Sequence, residues 1–130
     1  MTTMRNLAAG VLGVILLGAA PPIDWSKADV VTVIELDYRF EPTAPTIRVG
    51  VPTRLHVENH GAETHEIDAS NFFKAVQLKN PETLNPERTE LLLHPGEQQD
   101  VYFVATLPGR YPFSCADHDW AGMSGVFVVQ

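Results

Sequence analysis

The chain has 130 residues, 45% of them hydrophobic, with 16 Asp and Glu against 9 Lys and Arg and a formal charge of −7. That length supports one compact domain and is too short for two. The acidic balance argues against nucleic acid and anionic membrane surfaces as partners and favours basic proteins or cations.

The N-terminus comes first. Arg5 precedes an unbroken run of apolar or small residues over 7–20, ended by Pro21-Pro22. The run is shorter than the roughly 20 residues that span a bilayer and fits the hydrophobic segment of a secretory signal. Cleavage after Gly18-Ala19-Ala20 would leave Pro21 next to the cut, a poor peptidase substrate, so Ser26-Lys27-Ala28 is the preferred site. Residues 1–28 are thus expected to be a signal peptide and 29–130 the mature domain, exported to the periplasm. Left uncleaved, the run would act as an N-terminal anchor, the chain's expected membrane contact. Loss of 1–28 removes Arg5, Lys27 and Asp24 and takes the formal charge from −7 to about −8.

Beyond the leader no stretch holds a helical period. Short runs rich in Val, Ile, Phe and Tyr recur between Gly and Pro, which predicts strands over 30–36, 46–49, 53–59, 65–69, 90–93, 99–105, 109–114 and 125–129. Alternation turns Leu55 and Val57 inward in one strand, Val101 and Phe103 in another, and Tyr111 and Phe113 in a third. Turns are expected at Val49-Gly50-Val51-Pro52, His94-Pro95-Gly96-Glu97 and Thr106-Leu107-Pro108-Gly109. Residues 70–88 are irregular, with either a short helix or a strand near 72–78. The fold class expected is all-β, a sandwich or barrel of about seven to eight strands.

The last third carries the chemistry. In Tyr111-Pro112-Phe113-Ser114-Cys115-Ala116-Asp117-His118-Asp119-Trp120-Ala121-Gly122-Met123, the only cysteine stands at a strand exit, followed by His118 and Met123 in the spacing C-x2-H-x4-M. Disulfides persist in oxidising compartments, so an exported chain with one cysteine needs another reason to keep a thiol. Thiolate, imidazole and thioether on one loop are soft donors, and a second histidine would complete a trigonal His2Cys set of the kind that selects copper. His65, in Glu63-Thr64-His65-Glu66-Ile67, is the candidate, with His60 the alternative. Strand parity puts Cys115 and the His94 turn at one pole. If His65 shares the metal, His60, His65, His94 and His118 gather there, with Glu63, Glu66, Asp117 and Asp119 nearby.

Residues 111–130 resemble the last strands and ligand loop of plastocyanin-like cupredoxins, and Asn59-His60-Gly61 before His65 resembles their first-ligand region. The resemblance implies a Greek-key sandwich holding one type 1 copper through His65, Cys115, His118 and axial Met123, with Asn59 tying the ligand loops together by a hydrogen bond. Glu35-Leu36-Asp37-Tyr38-Arg39-Phe40-Glu41-Pro42 also resembles small bacterial cupredoxins, some of which accompany ferrous iron permeases. Ser114 stands where plant plastocyanins have an aromatic, so electron transfer through the edge of His118 is expected. The axial ligand stays open between Met123 and a carboxylate such as Glu35.

Four functions follow as expectations. The first is an electron carrier that transforms no substrate and passes single electrons between redox proteins. The second is ferrous iron oxidation, with a transient iron at Glu66, Asp117, Asp119 or His94 and a periplasmic iron-binding protein or membrane permease as partner; hard carboxylates suit that ion. The third is copper storage or delivery. The fourth, a Cys115-His118 thiol enzyme, has weak support, because a nucleophile needs a positioned base and a substrate cleft. Trp120 either packs on the loop or offers a docking surface.

Overall fold

A computed structural model describes residues 13–130; residues 1–12 of the expected signal segment, with Arg5 and the start of the apolar run, lie outside the described residues. A 3-10 turn at Trp25–Lys27 leads into ten strands: β1 (Asp29–Leu36), β2 (Arg39–Glu41), β3 (Thr46–Ile47), β4 (Pro52–Asn59), β5 (His65–Asp68), β6 (Val76–Leu78), β7 (Glu90–Leu93), β8 (Gln98–Ala105), β9 (Gly109–Ser114) and β10 (Ser124–Val129). One helix, α1 (Ser70–Ala75), precedes β6. Among the described residues no helix is long and apolar enough to cross a membrane.

The strands form two five-stranded sheets, ordered β2-β1-β4-β8-β6 and β3-β10-β9-β5-β7. β1 runs parallel to β4 and β3 parallel to β10, while the remaining pairs are antiparallel. This is the all-β sandwich expected, with two strands more. β2 was not foreseen because three residues between Tyr38 and Pro42 are too few for alternation to show. The 72–78 ambiguity resolves as both readings: α1 buries Phe72 and Phe73, and the chain then extends into β6 against β8.

Alternation does what the pattern requires. In β4 the residues Thr53, Leu55, Val57 and Asn59 are buried and those between them are not. Val101, Phe103 and Phe113 also enter the core, while Tyr111 packs at its margin. An aromatic stack runs through the layer between the sheets, from Phe72 on Phe127 (ring centroids 4.5 Å apart) to Phe113 on Phe127 (4.4 Å) and Phe40 on Phe113 (4.9 Å). Such rings supply much of a core's burial, and their geometry adds to it. Phe113 lies two residues before Cys115, so the stack fixes the strand that delivers the thiol.

Candidate metal centre

β9 ends at Ser114, and Cys115 follows it into a 3-10 segment, Ala116–Ala121. The base of that loop is closed by backbone bonds. Cys115 N–H donates to Met123 O at 3.0 Å, His118 N–H to Cys115 O at 3.1 Å, and Met123 N–H to His118 O at 3.4 Å. Gly122 ends the 3-10 segment in the left-handed region (φ 72°), where glycine carries no Cβ penalty, and its N–H bonds Asp119 O at 2.8 Å. Met123 is completely buried and leads straight into β10. Three of the four expected ligands therefore hang from one loop tied at its neck to the sheet.

The fourth comes from β5. His65 opens that strand in register with Leu93 and brings its ring under the loop. His65 Nδ1 lies 3.2 Å from His118 Nδ1, while Cys115 Sγ lies 3.3 Å from His118 Nδ1 and 3.9 Å from His65 Nδ1. Among the described residues this is the one group of three or more His, Cys, Asp or Glu whose donor atoms all lie within 4.8 Å of one another. All three residues are buried. One thiolate and two imidazole nitrogens, closed off from water, suit a soft or borderline ion and not a hard one. The donor set thus fits copper, with the buried Met123 on the same loop.

The outer nitrogen of each imidazole meets a carboxylate. His65 Nε2–H donates to Asp37 Oδ1 at 2.6 Å, and His118 Nε2–H donates to Glu63 Oε2 at 2.7 Å. Each acceptor selects the tautomer with hydrogen on Nε2, leaving the Nδ1 lone pair aimed inward, and fixes the orientation of the ring. Asp37 is itself held: Ala62 N–H donates to Oδ2 at 2.8 Å, and that bond, followed by the one from His65, keeps its carboxyl below the usual carboxylate range. Burial pushes the Cys115 thiol up, and the backbone amides of Glu66, His118 and Asp117 oppose that push.

Asn59 is placed differently from the expectation. Its amide donates to Glu63 O at 2.8 Å and Leu93 O at 2.9 Å, and its Oδ1 accepts Gly61 N–H at 2.8 Å. It ties the His65 loop to the end of β7 and makes no bond to the Cys115 loop; that link comes from Glu66, whose Oε1 accepts Ala116 N–H at 2.9 Å. His60 bonds Glu58 at the surface, outside the cluster. Glu35, fully buried beside Asn59 in the β1–β4 register, has no hydrogen-bond partner for either oxygen among the described residues. Burial, then the Glu66 carboxylate, pushes its carboxyl up to about 8.

Among the described residues, those expected to take iron form no group of donor atoms as close as the His65, Cys115 and His118 cluster. Asp117 and Asp119 are exposed, and His94 Nδ1 pairs with Thr64 Oγ1 at 3.0 Å. Glu66 is buried under the loop it clamps, yet with Asp68 and Asp117 it helps raise the Glu90 carboxyl, after burial. Sequence reasoning did not single out Asp37, Tyr38 or Glu63 as site residues. Asp37 lies 28 residues from His65 and Glu63 lies 55 from His118, so the only available signal was the placement of the Glu63 loop at the ligand pole.

A two-sheet frame delivering a His2Cys cluster at one pole defines a class of small metal-binding sandwich. The chain belongs to the cupredoxin-like domain family, whose model matches residues 8–129. Among solved structures it resembles a dithionite-reduced auracyanin from the photosynthetic bacterium Roseiflexus castenholzii, with 18% identity over 79% of this chain and 98% of that one and a TM-score of 0.58. It also resembles auracyanin B, with 21% identity over 79% and 89% and a TM-score of 0.58. A third is auracyanin A of Chloroflexus aurantiacus, described as a "blue" copper protein, with 18% identity over 78% and 98% and a TM-score of 0.53. At these identities the likeness is one of fold. No curated protein matches the sequence.

Proposed function

We propose that this chain is an exported type 1 copper protein that carries single electrons between redox proteins. The observation that carries the reading is the buried convergence of His65, Cys115 and His118 on a backbone-closed loop. Copper held there by His65, Cys115 and His118, with the Met123 thioether on the same loop as a further soft donor, would supply a one-electron Cu(II)/Cu(I) couple. The protein's part is to hold donors still. Asp37 and Glu63 fix the imidazole tautomers, the Cys115–Met123 bond fixes the loop neck, and the Phe113 stack fixes the strand behind it. A donor set kept between the preferences of the two oxidation states lowers the rearrangement that accompanies electron transfer. Membership of the cupredoxin family supports the reading, as does the shared fold with auracyanin A.

Export to the periplasm rests on the apolar run over 7–20 and the Ser26-Lys27-Ala28 site, and basic redox proteins are the partners that the acidic surface favours. The test is a copper titration of the metal-free protein. One equivalent should give an intense visible thiolate-to-copper absorption that follows a redox partner's oxidation state. Stoichiometric uptake without that absorption would indicate storage or delivery instead.

Ferrous iron oxidation is a second reading, supported by the Glu66, Asp68, Glu90 and Asp117 carboxylates gathered near the loop. They would act as an approach path that concentrates cations. Anaerobic Fe(II) should then reduce the oxidised protein faster at low salt than at high salt, and Asp117→Asn should remove the difference. An iron reaction untouched by salt and by that substitution rules this reading out.

A further inference from the structure

His118 is only 8% exposed, and its outward nitrogen is covered by Glu63. The ligand edge expected to face a partner is therefore mostly covered. What lies over it is aromatic. The Tyr38 ring packs on His118 with centroids 4.9 Å apart and a 44° tilt, and also meets Trp120 at 5.3 Å and 55°, so the three rings form a compact triangle. Trp120 is 72% exposed. His118 also meets Trp120 directly, edge to face, with centroids 6.4 Å apart, farther than either ring lies from Tyr38.

Both rings are held in place. Tyr38 Oη–H donates to Glu63 Oε1 at 2.9 Å, so one carboxylate grips both the phenol and His118 Nε2. Trp120 Nε1–H donates to Asp117 O at 3.1 Å, which fastens the indole to the ligand loop. Asp117 and Asp119 are exposed on the same loop as Trp120, and the exposed Glu63 bonds Tyr38 and His118; their negative charge favours a cationic reagent or a basic protein surface.

We propose that Tyr38 and Trp120 are the electronic contact between the metal centre and the surface, so that electrons enter and leave through the Trp120 indole and not through the edge of His118. The inference rests on the electron-carrier reading. One electron passes from an external one-electron reductant to the oxidised site. No bond forms or breaks, no proton moves, and both rings end as they began, serving only as the conducting path.

The test uses the full chain loaded with copper and a cationic reductant, hexaammineruthenium(II), together with the metal-free chain. Trp120→Leu and Tyr38→Leu should each lose most of the wild-type reduction rate, while Trp120→Phe and Tyr38→Phe keep most of it. The visible spectrum and reduction potential of the Trp120 variants should stay at their wild-type values. In the metal-free chain with Trp25→Phe, azide radical takes one electron from Trp120 and becomes azide anion. The tryptophan radical should then be refilled by Tyr38, whose phenol proton goes to Glu63, and this conversion should vanish in Tyr38→Phe. Leucine variants that react as fast as wild type or faster overturn the proposal, as does a tryptophan radical that decays without forming a tyrosyl radical. A chain that takes up no copper would instead defeat the electron-carrier reading, and the radical measurement would still report whether the two rings are coupled.

Discussion

Two carboxylates on the outer nitrogens of two buried imidazoles make Asp37 and Glu63 as much a part of the centre as the atoms that face it. Removing the negative acceptor leaves the ring free to turn and to change tautomer, and partners of this kind are typically worth about 10–100-fold in metal affinity. Asp37→Asn should weaken copper binding by about that factor, measured by competition with a chelator. Imidazole nitrogen shifts of the metal-free variant should show His65 no longer fixed with hydrogen on Nε2. Affinity and tautomer both at wild-type values would remove Asp37 from the centre. Glu35 works on stability instead. Its carboxyl, pushed up to about 8 from an ordinary 4.5, keeps its proton in the folded protein where the unfolded chain has released it. The unfolded state binds fewer protons between those two values, so stability falls as pH rises through the window, by at most about 1.4 kcal/mol per pH unit. In thermal melts of metal-free protein, Glu35→Gln should match the wild type near pH 4.5 and exceed it at pH 8. A constant gap at both pH values would contradict this.

At the level of the element, the turn between β1 and β2 and the loop between β4 and β5 meet over the ligands. Gly61 sits at the crossing. A Cβ there would collide with Asp37 Oδ1 and lie 2.7 Å from His65 Nε2, so Gly61→Ala should displace Asp37 and lower copper affinity more than it lowers the melting temperature of the metal-free protein. Equal loss of both would make Gly61 a general packing residue. Much of this level could be read from the chain. Alternation in β4, β8 and β9 and the Gly-Pro turns located strands correctly, because each such strand is long enough to show period two and is buried on one side. β2 and β6, at three residues each, carry no such signal. The ligand loop was legible because its donors are local in sequence, with His118 three residues from Cys115. Asp37, Glu63 and Tyr38 were not, since only the tertiary fold brings them together. Asn59 was placed in the right region with the wrong partner, because a side-chain amide bonds whichever carbonyl the packing presents.

For the molecule as a whole, the strands begin where the expected leader ends. β1 starts at Asp29, whose carboxylate takes two hydrogen bonds from Arg48 at 2.6 and 2.7 Å, so a cut after Ala28 would spare the strand and remove the Trp25–Lys27 turn. The intact mass of protein recovered from the periplasm should correspond to a chain beginning at Asp29; a mass that retains Trp25 would place the cut earlier or show none. Every function proposed depends on the ion that His65, Cys115 and His118 are arranged to hold. The most direct measurement is a Cu(II) titration of the purified metal-free protein followed together by visible absorption and EPR. The expected result is an end point at one equivalent with an intense sulfur-to-copper band that Cys115→Ser abolishes. No stoichiometric uptake, or a Cys115→Ser protein that keeps the colour, would contradict it.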